Sequence, residues 1–244
     1  TPTTENGGGT GGKKTQKLGW NAIHCCGDHI TDEIDDIDFI TNGVVEMFLD
    51  TLGGQTMINS NGVRLQQRAN VVATGFSNGG FMSSLLGLQS ASTRPPWLVG
   101  IVPISGYQYD IELYKANPHP LSMMAHHGAR DKVVNPDGCC LVDNTTESNC
   151  QFGIGNKQDS CTSAKSAFDM WSLINECSNS TILDAEDVVQ SLRVDKEDDL
   201  FTCWKGQDCI EPTNLCLWNK EGHNPQFPGI EMTQTWIENV FRHV

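Results

Sequence analysis

Three residues in this 244-residue sequence have the types and order that nucleophilic acyl transfer requires. Ser77 lies in Gly75-Phe76-Ser77-Asn78-Gly79, between the β-branched run Val71, Val72, Thr74 and a helix-compatible stretch running on to Leu86. Strand, tight turn and helix form the context in which a G-x-S-x-G pentapeptide carries chemistry. The turn projects the hydroxyl clear of the strand and sets it at a helix N-terminus that favours developing negative charge. Glycines two before and two after the serine are expected to let strand and helix pass without a Cβ clash. An incidental serine in a glycine-rich turn is the plainer explanation of the pentapeptide alone. A serine nucleophile also needs a base, and the base needs an orienting carboxylate. Downstream, Asp131 follows the run Leu121–His127, and His223 follows the short run Leu215–Trp218. Each would sit at the carboxyl end of a strand, the edge to which the serine turn projects. Taken singly, Asp131 could be a helix cap and His223 a loop histidine. The order Ser, Asp, His argues for a triad. Asp137 and Asp143 are rival acids. His126 and His127 are rival bases, read as pocket-lining or structural because they precede the acid and lie in or near the strand.

The elements that must position these residues alternate. Leu98–Ser105 is a continuous apolar run of the kind found in buried parallel strands. Ala164–Ile174 has the amphipathic pattern of a helix carrying Trp171, and Met232–Phe241 has that of a closing helix. Val188–Cys203 alternates weakly, as a strand or hairpin would. Ile30, Ile34, Ile37, Val44 and Phe48 recur at helical spacing, with Asp32, Glu33, Asp35 and Asp36 crowding the start as a solvated, dipole-complementing first turn. A calcium loop is the sharper reading of those acids, but the D-x-D-x-D-G register is missing. Strands alternating with helices predict an α/β fold with a mostly parallel sheet covered on both faces. Residues 1–19 are polar and glycine-rich, a flexible tail without the spacing of a phosphate loop, and residues 20–244 form the folded domain.

The formal net charge is −14 and the pI about 4.7. Such a surface repels nucleic-acid phosphates and anionic membranes, so neither is expected as a partner. The chain has no signal peptide and no initiator Met, as a mature form or an excerpt would. Its ten cysteines are Cys25, Cys26, Cys139, Cys140, Cys150, Cys161, Cys177, Cys203, Cys209 and Cys216. An even number suits five disulfides of unassigned connectivity. Zinc is disfavoured because no pair has C-x-x-C spacing. Sequons at Asn144 and Asn179 agree with an oxidising, secretory route and mark candidate glycosylation sites.

Five blocks in succession, WNAIHCCG, DEIDDIDFI, NVVATGFSNGGFMSSLL, HGARDKVV and GHNPQFPG, resemble those of the secreted polyhydroxybutyrate depolymerase and feruloyl esterase C group of α/β-hydrolases. The resemblance runs from about Gly19 to the C-terminus. It implies an α/β-hydrolase fold, with Ser77 as nucleophile, Asp131 as acid and His223 as base. It also implies that the backbone N–H of Asn78 is one oxyanion donor. The implied activity is a secreted, cofactor-free serine esterase acting on hydroxycinnamate–polysaccharide or polyhydroxyalkanoate-type esters. Phe76, Phe81, Tyr107 and Tyr109 are candidates for an aromatic acyl pocket, although core packing suits most of them better. In the family, the block like WNAIHCCG comes after several strands, one of which ends in the loop that supplies the second oxyanion N–H. Residues 1–19 contain no such run, so the expected sheet lacks its N-terminal part. The alternative expectation is therefore a hydrolase-like binding protein, or gene fragment, of impaired activity.

Overall fold

The computed structural model describes residues 19–22, 34–53, 57–58, 64–65, 70–90, 92–107, 118–138, 163–183, 201–224, 234 and 238. Its centre is a six-stranded sheet built from β3 (Val71–Phe76), β4 (Leu98–Ile104), β5 (Ser122–Gly128), β6 (Asn179–Leu183), β7 (Phe201–Gln207) and β8 (Thr213–Trp218), in the order β3-β4-β5-β8-β7-β6. A separate two-stranded antiparallel pair, β1 (Met57–Ile58) and β2 (Arg64–Leu65), precedes it.

β3, β4, β5 and β8 run parallel, whereas β6 and β7 run antiparallel to their neighbours. The sheet is therefore mixed. Parallel strands need long crossovers, and antiparallel neighbours need only short turns. The two antiparallel strands fall where the sequence is least periodic. β6 occupies the Asn179 sequon and had no strand signature of its own. β7 begins only at the end of the weakly alternating run, whose earlier part, 188–200, lies outside the described residues, as do the other positions of the closing-helix stretch besides Gln234 and Glu238, which are helical.

Among the described residues, three helices with described bounds accompany the sheet. α2 (Asn78–Gly87) follows Ser77 directly, and α3 (Ala164–Ile174) is capped by the Ser163 side chain accepting from the N–H of Ser166. Both pack on one face, where Phe81, Leu85, Phe168 and Trp171 meet Ile101, Met123, Ala125 and Leu215 of the strands. The opposite face carries a smaller cluster of Val102, Met124, Cys203, Cys216 and Trp218. Among the described residues no helix joins that cluster, so helical cover on both faces is not part of the described architecture.

α1 starts as α-helix at Asp36–Asp38, widens to a π-helix over Phe39–Glu46 and returns to α-helix at Met47–Gly53. Ile37, Ile40, Val45 and Leu49 pack against the core. Val44 and Phe48, placed by helical spacing on the inner face, are 42 % and 60 % exposed. A π-turn closes on residue i+5, so it moves the inward stripe one residue along the chain. The first turn also departs from expectation. Asp35 caps the helix through the N–H of Asp38 at 2.8 Å, but Asp36 is only 4 % exposed. Asp36 is thus not a solvated acid: its Oδ2 accepts the N–H of Asn21 at 2.7 Å.

Two disulfides join described cysteines, Cys177–Cys209 and Cys203–Cys216, and the latter pair stands in direct register across β7 and β8. These four cysteines are committed to each other rather than to a metal. The other six lie outside the described residues. The disulfides mark an oxidising environment. No helix among the described residues is long and apolar enough to cross a membrane.

Candidate active site

Ser77 stands between β3 and α2 with φ 54° and ψ −117°, a backbone conformation that L-residues rarely adopt. The sharp turn is possible because strand and helix nearly touch. A Cβ on Gly75 would lie 2.2 Å from the carbonyl oxygen of Gly79. The Ser77 N–H donates to the Ile104 carbonyl at 2.8 Å, tying the turn to the end of β4. The N–H groups of Asn78, Gly79 and Gly80 open α2, where a helix offers no internal acceptor.

Asn78 does more than start the helix. Its Oδ1 accepts the N–H of Trp20 at 2.5 Å, and its Nδ2 donates to the Trp20 carbonyl at 3.1 Å. The adjacent Asn21 bonds Asp36 through its N–H, and its Nδ2 donates to the Ile34 carbonyl at 3.1 Å. Residues 19–22 are thereby clasped between the serine turn and α1. The resemblance of the sequence blocks implied a role for the backbone of Asn78. Its side-chain partner, 58 residues away, left no local signal.

The turn after β5 presents Asp131, whose Oδ1 accepts the N–H groups of Val133 and Val134 at 2.7 and 2.9 Å. The loop after β8 brings His223. These two loops are held together by Arg130 N–H donating to the Glu221 carbonyl at 2.9 Å. A Cβ on Gly128 would lie only 2.1 Å from the Gly222 carbonyl oxygen, so a glycine is needed for the loops to meet.

The three residues singled out in the sequence converge. His223 Nδ1 is 2.8 Å from Asp131 Oδ2, and His223 Nε2 is 2.9 Å from Ser77 Oγ. Burial disfavours charge on Asp131. Hydrogen bonds from His127, His223, Val133 and Val134 outweigh it and hold the carboxyl well below the usual carboxylate range. An ionised Asp131 accepts Nδ1–H, which leaves Nε2 of the neutral imidazole as the acceptor for the serine O–H.

The rivals fall elsewhere. Asp137 is exposed in a turn where its N–H bonds Asn135, and Asp143 lies outside the described residues. His126 and His127 are fully buried. His126 faces Trp218, whose Nε1 donates to its Nδ1 at 3.3 Å, and burial pushes its pKa down to about 4. His127 contacts Asp131, a role the sequence reading missed. The only hint was the spacing of four residues across a strand end.

Of the aromatic candidates, Phe81 and Tyr107 are buried, and Tyr109 lies outside the described residues. Phe76 is 41 % exposed with its ring centroid 5.0 Å from that of His223. A largely apolar groove of about 720 Å³ runs along β3 and α2, lined by Trp20, Ile40, Phe76, Met82 and Trp97 among others. It borders the serine turn without including Ser77 or His223. Of the sequon residues, Asn179 is exposed at the start of β6, an outer strand of the described sheet, and Asn144 lies outside the described residues.

Comparison with family models and with curated proteins finds no match to this chain.

Proposed function

We propose that this chain is a serine hydrolase of carboxylic esters, working through a Ser77-His223-Asp131 acyl-enzyme mechanism. The observation that carries the reading is His223 bridging Ser77 Oγ at 2.9 Å and Asp131 Oδ2 at 2.8 Å. Ser77 Oγ attacks the ester carbonyl as its proton passes to His223 Nε2. The Nδ1–H stays bonded to Asp131, which offsets the charge of the imidazolium. The tetrahedral oxyanion lies at the N-terminus of α2, within reach of the Asn78 N–H. His223 then protonates the departing alcohol, and water repeats the sequence to release the acid. No cofactor enters the scheme.

The resemblance of the sequence blocks to secreted polyhydroxybutyrate depolymerases and feruloyl esterases supports an α/β-hydrolase fold, and a hydroxycinnamate ester or polyester as substrate. The disulfides and the exposed Asn179 sequon favour a secreted glycoprotein.

One observation favours a second reading, a hydrolase-like binding protein of impaired activity. Among the described residues β3 pairs with β4 alone, and no strand flanks it to deliver a second oxyanion donor. Loss of one such donor costs about 10²–10³ in rate.

Intact-mass labelling with a fluorophosphonate separates the two readings. The hydrolase reading expects one adduct on the native chain and none on a folded Ser77→Ala variant. A folded native chain that takes up no probe would favour the second.

A further inference from the structure

Asp131 has four donors. Val133 and Val134 serve Oδ1, while Oδ2 receives both His223 Nδ1 at 2.8 Å and His127 Nε2 at 3.1 Å. A carboxylate has about four acceptor positions, so this one is saturated.

The protonation of His127 follows from its neighbours. Nε2 lies 2.7 Å from the Val134 carbonyl as well as 3.1 Å from the carboxylate. Both are acceptors, so Nε2 carries the hydrogen. Nδ1 lies 2.6 Å from Oη of the buried Tyr107. In the neutral ring Nδ1 accepts, and the tyrosine hydroxyl donates. The opposite tautomer would set a lone pair against two oxygens in a fully buried site. The Val134 carbonyl and Tyr107 alone would satisfy the ring. The contact with Asp131 exceeds what the histidine needs, and it falls on the oxygen that orients His223.

We propose that His127, with its tautomer set by Tyr107, is a positioning residue that holds Asp131 Oδ2 in place for His223. Tyr107, His127, Asp131, His223 and Ser77 then form one continuous hydrogen-bonded chain, entering from the end of β4 and ending at the nucleophile. The inference rests on the hydrolase reading for its effect on rate, but its geometric content can be tested without turnover.

The test compares the full chain with His127→Leu, His127→Gln and Tyr107→Phe. The readouts are kcat and KM on p-nitrophenyl butyrate, fluorophosphonate labelling, and the downfield proton NMR resonance of His223 Nδ1–H. Losing a hydrogen bond to a charged group predicts that His127→Leu lowers kcat about 10–100-fold with KM within about twofold, and shifts or broadens the resonance. His127→Gln places an amide N–H near the lost Nε2–H and recovers most of kcat. Tyr107→Phe, losing a neutral hydrogen bond, lowers kcat about 2–10-fold. The proposal is overturned if His127→Leu keeps the native resonance, or if the Gln variant is as impaired as the Leu variant. If His127→Leu does not fold, Tyr107→Phe decides, and a native rate and resonance there overturn it. A native chain inert to the probe, whose resonance nevertheless moves in His127→Leu, would refute the hydrolase reading while supporting the positioning role. Normal labelling with an unmoved resonance would do the reverse.

Discussion

Gly75 and Gly79 flank Ser77 symmetrically in sequence and asymmetrically in space. A Cβ on Gly75 would strike the backbone of Gly79, while a Cβ on Gly79 would meet nothing within 4 Å. The second tight position is Gly80, where a Cβ would lie 2.7 Å from the Ile104 carbonyl oxygen. Gly79→Ala is therefore expected to preserve fluorophosphonate labelling and to change stability by no more than about 1 kcal/mol. Gly75→Ala is expected to abolish labelling and lower the melting temperature, because backbone would have to move. Labelling and thermal melts of both variants check this, and equal behaviour of the two would refute it. At this scale the sequence was legible where chemistry is local. The pentapeptide and the strand-end positions of Asp131 and His223 located residues that meet. It was silent on the Asn78–Trp20 clasp and on the contact of His127 with Asp131, because side-chain pairs formed by tertiary packing leave no periodic trace.

Elements were legible where one periodicity runs unbroken. Ala164–Ile174 was bounded correctly as α3, and the apolar runs before Ser77 and Asp131 were read as strands. α1 was misread in register because the π-helix over Phe39–Glu46 is invisible to a pattern that assumes a constant turn. That difference predicts opposite outcomes at adjacent positions. Phe48→Ser, at an exposed site, should change unfolding free energy by no more than about 0.5 kcal/mol. Leu49→Ser, on the packed side, should cost roughly 1–3 kcal/mol. Urea denaturation of the two variants measures this, and a larger loss at Phe48 would restore the uninterrupted helix. β6 and β7 were obscured for another reason. Antiparallel strands are specified by cross-strand pairing more than by a continuous apolar run.

The molecule as a whole joins a parallel half, β3-β4-β5-β8, which carries the three site residues, to an antiparallel wing held by disulfides. Cys203–Cys216 links β7 to β8, and Cys177–Cys209 ties the segment after α3 to the turn after β7. Each such link contributes about 3 kcal/mol through the restricted unfolded chain. Full reduction, verified by thiol titration, should therefore lower the melting temperature by many degrees. An unchanged melt would mean that packing alone holds the wing. The bond between Ser77 and His223 closes a loop of 146 residues, and that between Asp131 and His223 one of 92. Helices and the β3-β4, β4-β5, β6-β7 and β7-β8 pairings need far shorter closures and form early, whereas distant pairings, that of β5 with β8 among them, come late. The reactivity of Ser77 thus keeps time for the whole chain: in renaturation it returns only with the longest closure, after spectroscopic signs of secondary structure have already recovered.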